Sequence, residues 1–228
     1  MTQTDKAVPH GHFLDTPELP KGVTRFWMIR HAVVEASARK TMYGALDVPL
    51  CREAMASQQG GYATLARRLP TDALWYSSPL QRARDTASEI RKAGAFSQDV
   101  TIDGRFIEQS IGEWHGTPHT EFMSLLRLPP NPFWSISACE LPPGGESMLD
   151  VCARVAHGLE DLANAHEGED MVVVSHGGAI RAALAHGLGV HPDTALRFSI
   201  QNLSITILER IDCLWRVVTV NELPDFRG

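Results

Sequence analysis

Phe26-Trp-Met-Ile-Arg-His31 and, further along, Val172-Val-Val-Ser-His-Gly-Gly178 are the stretches that decide the fold. Each begins as a short run of aromatic or β-branched residues without polar alternation, and each ends in a turn signal. Such runs read as strands buried on both faces, as in the interior of a parallel sheet. Each delivers a histidine where its strand ends, and the first places Arg30 immediately before that histidine. In parallel α/β sheets, ligands collect at the edge where strands end and helices begin. Histidines and an arginine at such an edge fit an anion site with a nucleophile inside it.

A further segment points the same way. Ala73-Leu-Trp-Tyr76 reads as a strand and is followed by Ser77-Ser-Pro-Leu-Gln-Arg-Ala-Arg-Asp-Thr-Ala87. Ser78 is expected as a helix N-cap and Pro79 as the first helical residue, where a missing N–H costs nothing. The helix is expected to run to about Lys92 and stop at Gly94. Arg82 then lies in its first turns, beside free backbone donors and the positive end of the helix dipole, which favours a phosphate group.

Working outward, residues 32–50 read as a loop. Residues 53–69 read as a helix, with Ala54, Met55, Tyr62, Leu65 and Ala66 spaced near 3.6, although Gly60-Gly61 weakens it. Residues 100–102 form a short strand leading to a loop that carries Glu108. Between 117 and 142 there are five prolines and three aromatics, which exclude one continuous helix. Residues 146–166 are expected to form an amphipathic helix with Leu149, Cys152, Val155, Leu159 and Leu162 on one face. A helix over 179–187 follows His176 directly, and 203–208 with 215–220 form an antiparallel pair turning near Asp212. Strands alternating with helices predict an α/β three-layer sandwich: a mostly parallel central sheet, helices on both faces, one domain over 23–228.

The chain has 228 residues, 43% of them hydrophobic, with a net charge of −6, which suits one soluble domain. The acidic balance argues against nucleic acid or an anionic membrane as partner. Cys51, Cys139, Cys152 and Cys213 show no CxxC or zinc spacing and are expected as reduced thiols, three of them packed like small apolar residues. Residues 1–22 lack the apolar core of a signal peptide and are expected as a flexible or surface-draped tail, which fits a cytoplasmic protein. His10 and His12 have no further ligands nearby, so neither a metal nor a cofactor is expected. The oligomeric state stays open.

The ordered motifs resemble those of the histidine phosphatase superfamily, the phosphoglycerate mutase-like family. Arg30-His31-Ala32 stands for the family's Arg-His-Gly. Tyr43-Gly44 with Asp47-Val-Pro-Leu50, Ser77-Ser-Pro-Leu-Gln-Arg82-Ala, Glu108 with Gly112-Glu-Trp, Pro143-Gly-Gly-Glu-Ser147 and Ser175-His-Gly-Gly178 fall at family spacing over roughly residues 24 to 221. The resemblance implies His31 as the nucleophile that becomes a phosphohistidine. It implies His176 as a hydrogen-bond donor to a phosphoryl oxygen, and Arg30 and Arg82 as phosphate ligands. Arg84 is the rival to Arg82 but is rotated about 200° around the helix. Glu108 matches the family's proton donor to the leaving alkoxide, with Glu113 as its competitor. Ser37 stands where many members carry a phosphate-contacting asparagine, so that contact is shortened or lost. Ala32 replaces the usual glycine, and Val33 and Val34 replace a common polar pair.

Mutases of the family carry a longer insertion with basic residues that hold a substrate carboxylate. Here 25 residues separate Gly116 from Pro142, with Arg127 the sole basic residue besides His119. The resemblance therefore implies a metal-independent phosphatase acting on a small-molecule phosphate monoester, with water as acceptor, similar to the α-ribazole phosphatase and fructose-bisphosphatase-like branch. Trp134 and Phe133 could stack on an aromatic leaving group or pack the segment itself. The alternatives are mutase-type phosphoryl transfer and a non-catalytic phosphate-ester binding module, the latter motivated by Ala32 and Ser37.

Overall fold

The structure is a computed structural model that describes residues 22–226. The strands β1 (Thr24–Arg30), β2 (Leu74–Ser77), β3 (Val100–Ile102), β4 (Asp170–Ser175), β5 (Ile205–Ile211) and β6 (Leu214–Glu222) form one six-stranded sheet in the order β3-β2-β4-β1-β5-β6. β1, β2, β3 and β4 run parallel, while β5 and β6 close one edge as an antiparallel pair.

The apolar runs are buried on both faces because each face carries helices. Phe26 and Met28 of β1 and Met171 and Val173 of β4 pack in one core with α5 (Met148–Ala165) and α6 (Gly177–Leu188). Trp27, Ile29, Val172 and Val174, the alternate residues, pack in a second core with α2 (Gln59–Arg68) and α3 (Gln81–Gly94). Burying each such side chain contributes about 1.5–3 kcal/mol, so a polar change on either face weakens the sheet. α1 (Arg52–Ser57), α4 (His119–Phe122) and α7 (Pro192–Ala195) are short outer pieces. The mostly parallel three-layer arrangement matches the reading of the sequence.

Several local expectations are corrected. The helix over 53–69 is two helices, α1 and α2, meeting at Gln58, whose ψ of 17° departs from α geometry. Ser78 and Pro79 precede α3 rather than opening it: Leu80 is the N-cap residue and makes no side-chain cap. The Ser78 hydroxyl does accept from the Leu80 N–H at 3.3 Å, but it also faces His176. α5 begins after Ser147, whose side chain forms a reciprocal capping box with Asp150. On α5, Leu149 is 42% exposed and Cys152 half-buried, so the buried stripe runs instead through Met148, Val151, Val155, Leu159 and Leu162. Cys139 and Cys213 are exposed and Cys51 half-buried, so none is a fully packed core residue, although all four are free thiols. The expected tail, with His10 and His12, lies outside the described residues apart from the exposed Gly22. No helix among the described residues is long and apolar enough to cross a membrane.

Candidate active site

Sheet register brings the two histidines together. Arg30 pairs with Ser175 at the ends of β1 and β4, and the His31 N–H donates to the Ser175 carbonyl at 2.9 Å. His31 and His176 are therefore the first residues beyond two neighbouring parallel strands, with ring centroids 5.1 Å apart. β2 ends beside β4, where the Ser78 N–H donates to Val174 at 3.0 Å, and this sets α3 and Arg82 next to the histidines.

Both imidazoles are buried and neutral near pH 7. Burial, then the charges of Arg82 and Arg30, hold His31 well below the usual histidine range. Burial, then His31, Arg82 and Arg30, do the same to His176. Hydrogen bonds fix which nitrogen carries each proton. His31 Nδ1 lies 2.7 Å from the Ala32 carbonyl, which can only accept, so Nδ1 holds the hydrogen and Nε2 presents a bare lone pair. The Asn202 side-chain amide donates to the His31 and Ala32 carbonyls at 2.7 and 3.2 Å, and the Ala32 N–H donates to Thr86 Oγ1 at 2.9 Å. Thr86 in turn donates to the Arg82 carbonyl at 2.7 Å, tying the His31 turn to α3.

His176 has the opposite tautomer. Its Nδ1 accepts from Arg82 Nε at 3.3 Å, so its hydrogen sits on Nε2 and points at Ser78 Oγ, 2.7 Å away. Arg82 is fully buried; its terminal nitrogens donate to the Leu46 and Gly44 carbonyls at 2.5 and 2.7 Å. Burial lowers its pKa below the ordinary arginine value, while Glu108 opposes that fall. Arg30 donates from Nη1 to the Ile200 carbonyl at 2.5 Å, and its Nε is buried without a hydrogen-bond partner. Arg30 and His31 both line one cavity, so a guanidinium charge stands at the same opening as the bare imidazole nitrogen.

Glu108 stands across this floor on the loop after β3. Its Oε1 accepts from the Gln109 N–H at 2.9 Å and its Oε2 from the Gly178 N–H at 3.1 Å. A side chain on Gly178 would collide with this carboxylate, which is the reason for glycine at the start of α6. The loop is held from behind by Arg154, whose Nη1 donates to the Arg105 and Ile107 carbonyls, both at 2.8 Å. Arg154 also reaches the Glu108 carbonyl at 3.2 Å and pairs with Glu146 at 2.7 Å.

A cavity of about 180 Å³ opens over Arg30, His31 and Glu108 and continues past Tyr43 to Trp134 and Ile136. Arg82 and His176 back this floor without lining it. Ser37 is exposed at the head of a short 3₁₀ turn and does not line the cavity, so the structure does not bring it to the others. Arg84 and Glu113 are exposed, leaving Arg82 and Glu108 as the residues at the site. Among the described residues there is no group of three or more His, Cys, Asp or Glu side chains suited to a metal ion.

Sequence reasoning missed Asn202, Arg181 and Arg154, and it places Thr86 in the block that begins at Ser77 without giving it a role. Arg181 had a readable signal, being the lone charge in Ala179-Ile-Arg-Ala-Ala-Leu184; burial pushes it down to about 10. Asn202 had none, because its partners are 171 and 170 residues away.

A family model described as histidine phosphatase superfamily (branch 1) matches residues 26–223. A Mycobacterium tuberculosis protein described as bifunctional is 33% identical over 187 residues, covering 82% of this chain and 50% of its own length. The chain thus spans about half the length of the first curated relatives it matches. Glucosyl-3-phosphoglycerate phosphatase of Mycolicibacterium vanbaalenii is 35% identical over 181 residues, covering 75% of this chain and 77% of the relative. The native structure of a mycobacterial glucosyl-3-phosphoglycerate phosphatase superposes with a TM-score of 0.73 at 27% identity, covering 87% of this chain and 99% of that one.

Proposed function

Because this chain belongs to the histidine phosphatase superfamily, we propose that it hydrolyses a small-molecule phosphate monoester through a phosphohistidine on His31. The observation that carries this reading is the bare Nε2 of His31, set by the Ala32 carbonyl on Nδ1, in a residue that lines one cavity together with Arg30 and Glu108.

His31 Nε2 attacks phosphorus in line with the ester oxygen. The P–O bond breaks as the P–N bond forms, and Glu108, entering as the carboxylic acid, gives its proton to the leaving alkoxide. Water then attacks phosphorus and loses a proton to the Glu108 carboxylate. The P–N bond breaks, its electron pair returns to Nε2, and inorganic phosphate leaves. Arg30 supplies a direct donor to the equatorial oxygens and Arg82 a buried positive charge behind them. In this arrangement His176 orients Arg82 and Ser78. It becomes a donor to a phosphoryl oxygen when that oxygen replaces Ser78 as partner of its Nε2–H.

The guanidinium charges supply the stabilisation that a divalent cation gives other phosphatases, so turnover is metal-independent. Inorganic phosphate release from p-nitrophenyl phosphate and from an alkyl phosphate, with and without EDTA, tests this. Unchanged turnover is expected. Activity that vanishes with EDTA and returns with a divalent cation would contradict it.

A further inference from the structure

Away from His31 the cavity changes character. Besides the polar Thr41, Gln109 and Ser135 it is lined by the apolar Met42, Ile111, Trp134 and Ile136, while Tyr43 lies against Arg82, and Arg30 is its sole lysine or arginine among the described residues. His119 reaches the rim, but its Nε2 faces the Arg39 carbonyl at 3.2 Å. The neighbouring Arg39 and Lys40 side chains are exposed and do not line the cavity.

A second guanidinium packs on one of these residues. Arg181 Cζ lies 4.3 Å from the Trp134 ring centroid, with Nε and Nη1 donated to the Phe198 and Gly177 carbonyls at 2.9 and 3.0 Å. Arg181 is engaged with the ring as a cation–π partner and does not itself line the cavity. The Trp134 segment is anchored as well. The Asn131 amide donates to the Asp193 carbonyl at 3.2 Å, and Asp193 Oδ1 accepts from the Ala138 N–H at 3.0 Å. Trp134 is thus a fixed aromatic surface.

We propose that the alcohol part of the substrate is uncharged and apolar or aromatic beside the ester oxygen, with its carbon skeleton stacked on Trp134. This deepens the phosphatase reading and rests on it. A carboxylate or second phosphate there would meet neutral Thr41, Gln109 and Ser135 and no second cation, whereas a ring or alkyl chain gains contact with Trp134, Met42 and Ile136. The substrate class therefore differs from that in the name of the glucosyl-3-phosphoglycerate phosphatase relatives.

The test is a comparison of kcat/KM on matched esters: phenyl against 4-carboxyphenyl phosphate, and 2-phenylethyl phosphate against 3-phosphoglycerate. The uncharged member should be preferred by at least about tenfold in each pair. Trp134→Ala should lose about five- to tenfold on the uncharged aryl ester, and Trp134→Phe should recover most of it. Equal turnover within the pairs, preference for the carboxylated member, or an unchanged aryl ester in Trp134→Ala would overturn the inference while leaving the phosphatase reading intact. No turnover of any ester would remove both.

Discussion

Arg25 and Arg30 stand near opposite ends of β1, and their surroundings are opposite in charge. Arg25 donates to Glu209 at 2.7 Å and to Asp170 at 3.0 Å, and the fully buried Glu209 also pairs with Arg216 at 2.5 Å. Around Arg30 lie two more buried guanidinium groups, Arg82 and Arg181. Among the described residues all three hydrogen-bond to backbone carbonyls and none is in an ion pair with a carboxylate. A side chain on Gly177 would lie 3.0 Å from Arg181 and 3.6 Å from Arg30, so these like charges share one small space. A buried charge with its counter-ions in place belongs to the fold. A buried cluster with Glu108 nearby but no direct ion pair is held against its own repulsion and favours an added anion.

The largest expected effects separate the two ends. Glu209→Ala leaves Arg25 and Arg216 short of a partner and should lower the unfolding free energy by about 3–5 kcal/mol. Its kcat/KM should stay near that of the wild type wherever the protein is folded. Arg30→Ala should do the reverse: a loss of about 10²–10³-fold in kcat/KM, the scale of one transition-state donor, with little change in urea midpoint. Urea unfolding and steady-state kinetics on both variants decide the matter. Equal destabilisation and equal inactivation in the two would erase the distinction.

A smaller effect sharpens the catalytic end. If Glu108 protonates the leaving group, Glu108→Gln should lose roughly 10²-fold in kcat/KM on an alkyl phosphate. On p-nitrophenyl phosphate it should lose far less, since nitrophenolate leaves unaided. kcat/KM is the proper measure because it stops at the first irreversible step. Equal losses on both esters would reduce Glu108 to a residue that shapes the cavity.

The same contrast explains what could be read without a structure. β1, β2 and β4 were legible because a strand buried on both faces needs an unbroken apolar run, and residues 26–29, 74–76 and 171–174 supply one. His31 and His176 were legible because each directly follows such a run. Ser78 escapes a local capping rule because its hydroxyl is also engaged by His176, 98 residues away. The break at Gln58 was signalled by Gly60-Gly61 but not located, since propensity marks weakness more readily than position. Leu149 and Cys152 fit the apolar spacing yet leave the buried stripe, because hydrophobicity alone does not say where α5 turns away from the sheet. The partners that set each histidine's tautomer, Ala32, Arg82 and Ser78, and the Asn202 that braces the turn arise from sheet register and loop closure, which no local pattern encodes.

The proposed chemistry turns on which nitrogen of which histidine carries the phosphoryl group. The direct measurement is to trap the phosphoenzyme during turnover, denature it in base, where a phosphoramidate survives, and assign the site by ³¹P–¹H correlation spectroscopy and peptide mapping. The geometry predicts an acid-labile phosphate on Nε2 of His31, absent from His31→Ala. A phosphate on Nδ1 of that ring, an acid-stable ester on another residue, or steady turnover by His31→Ala would contradict it.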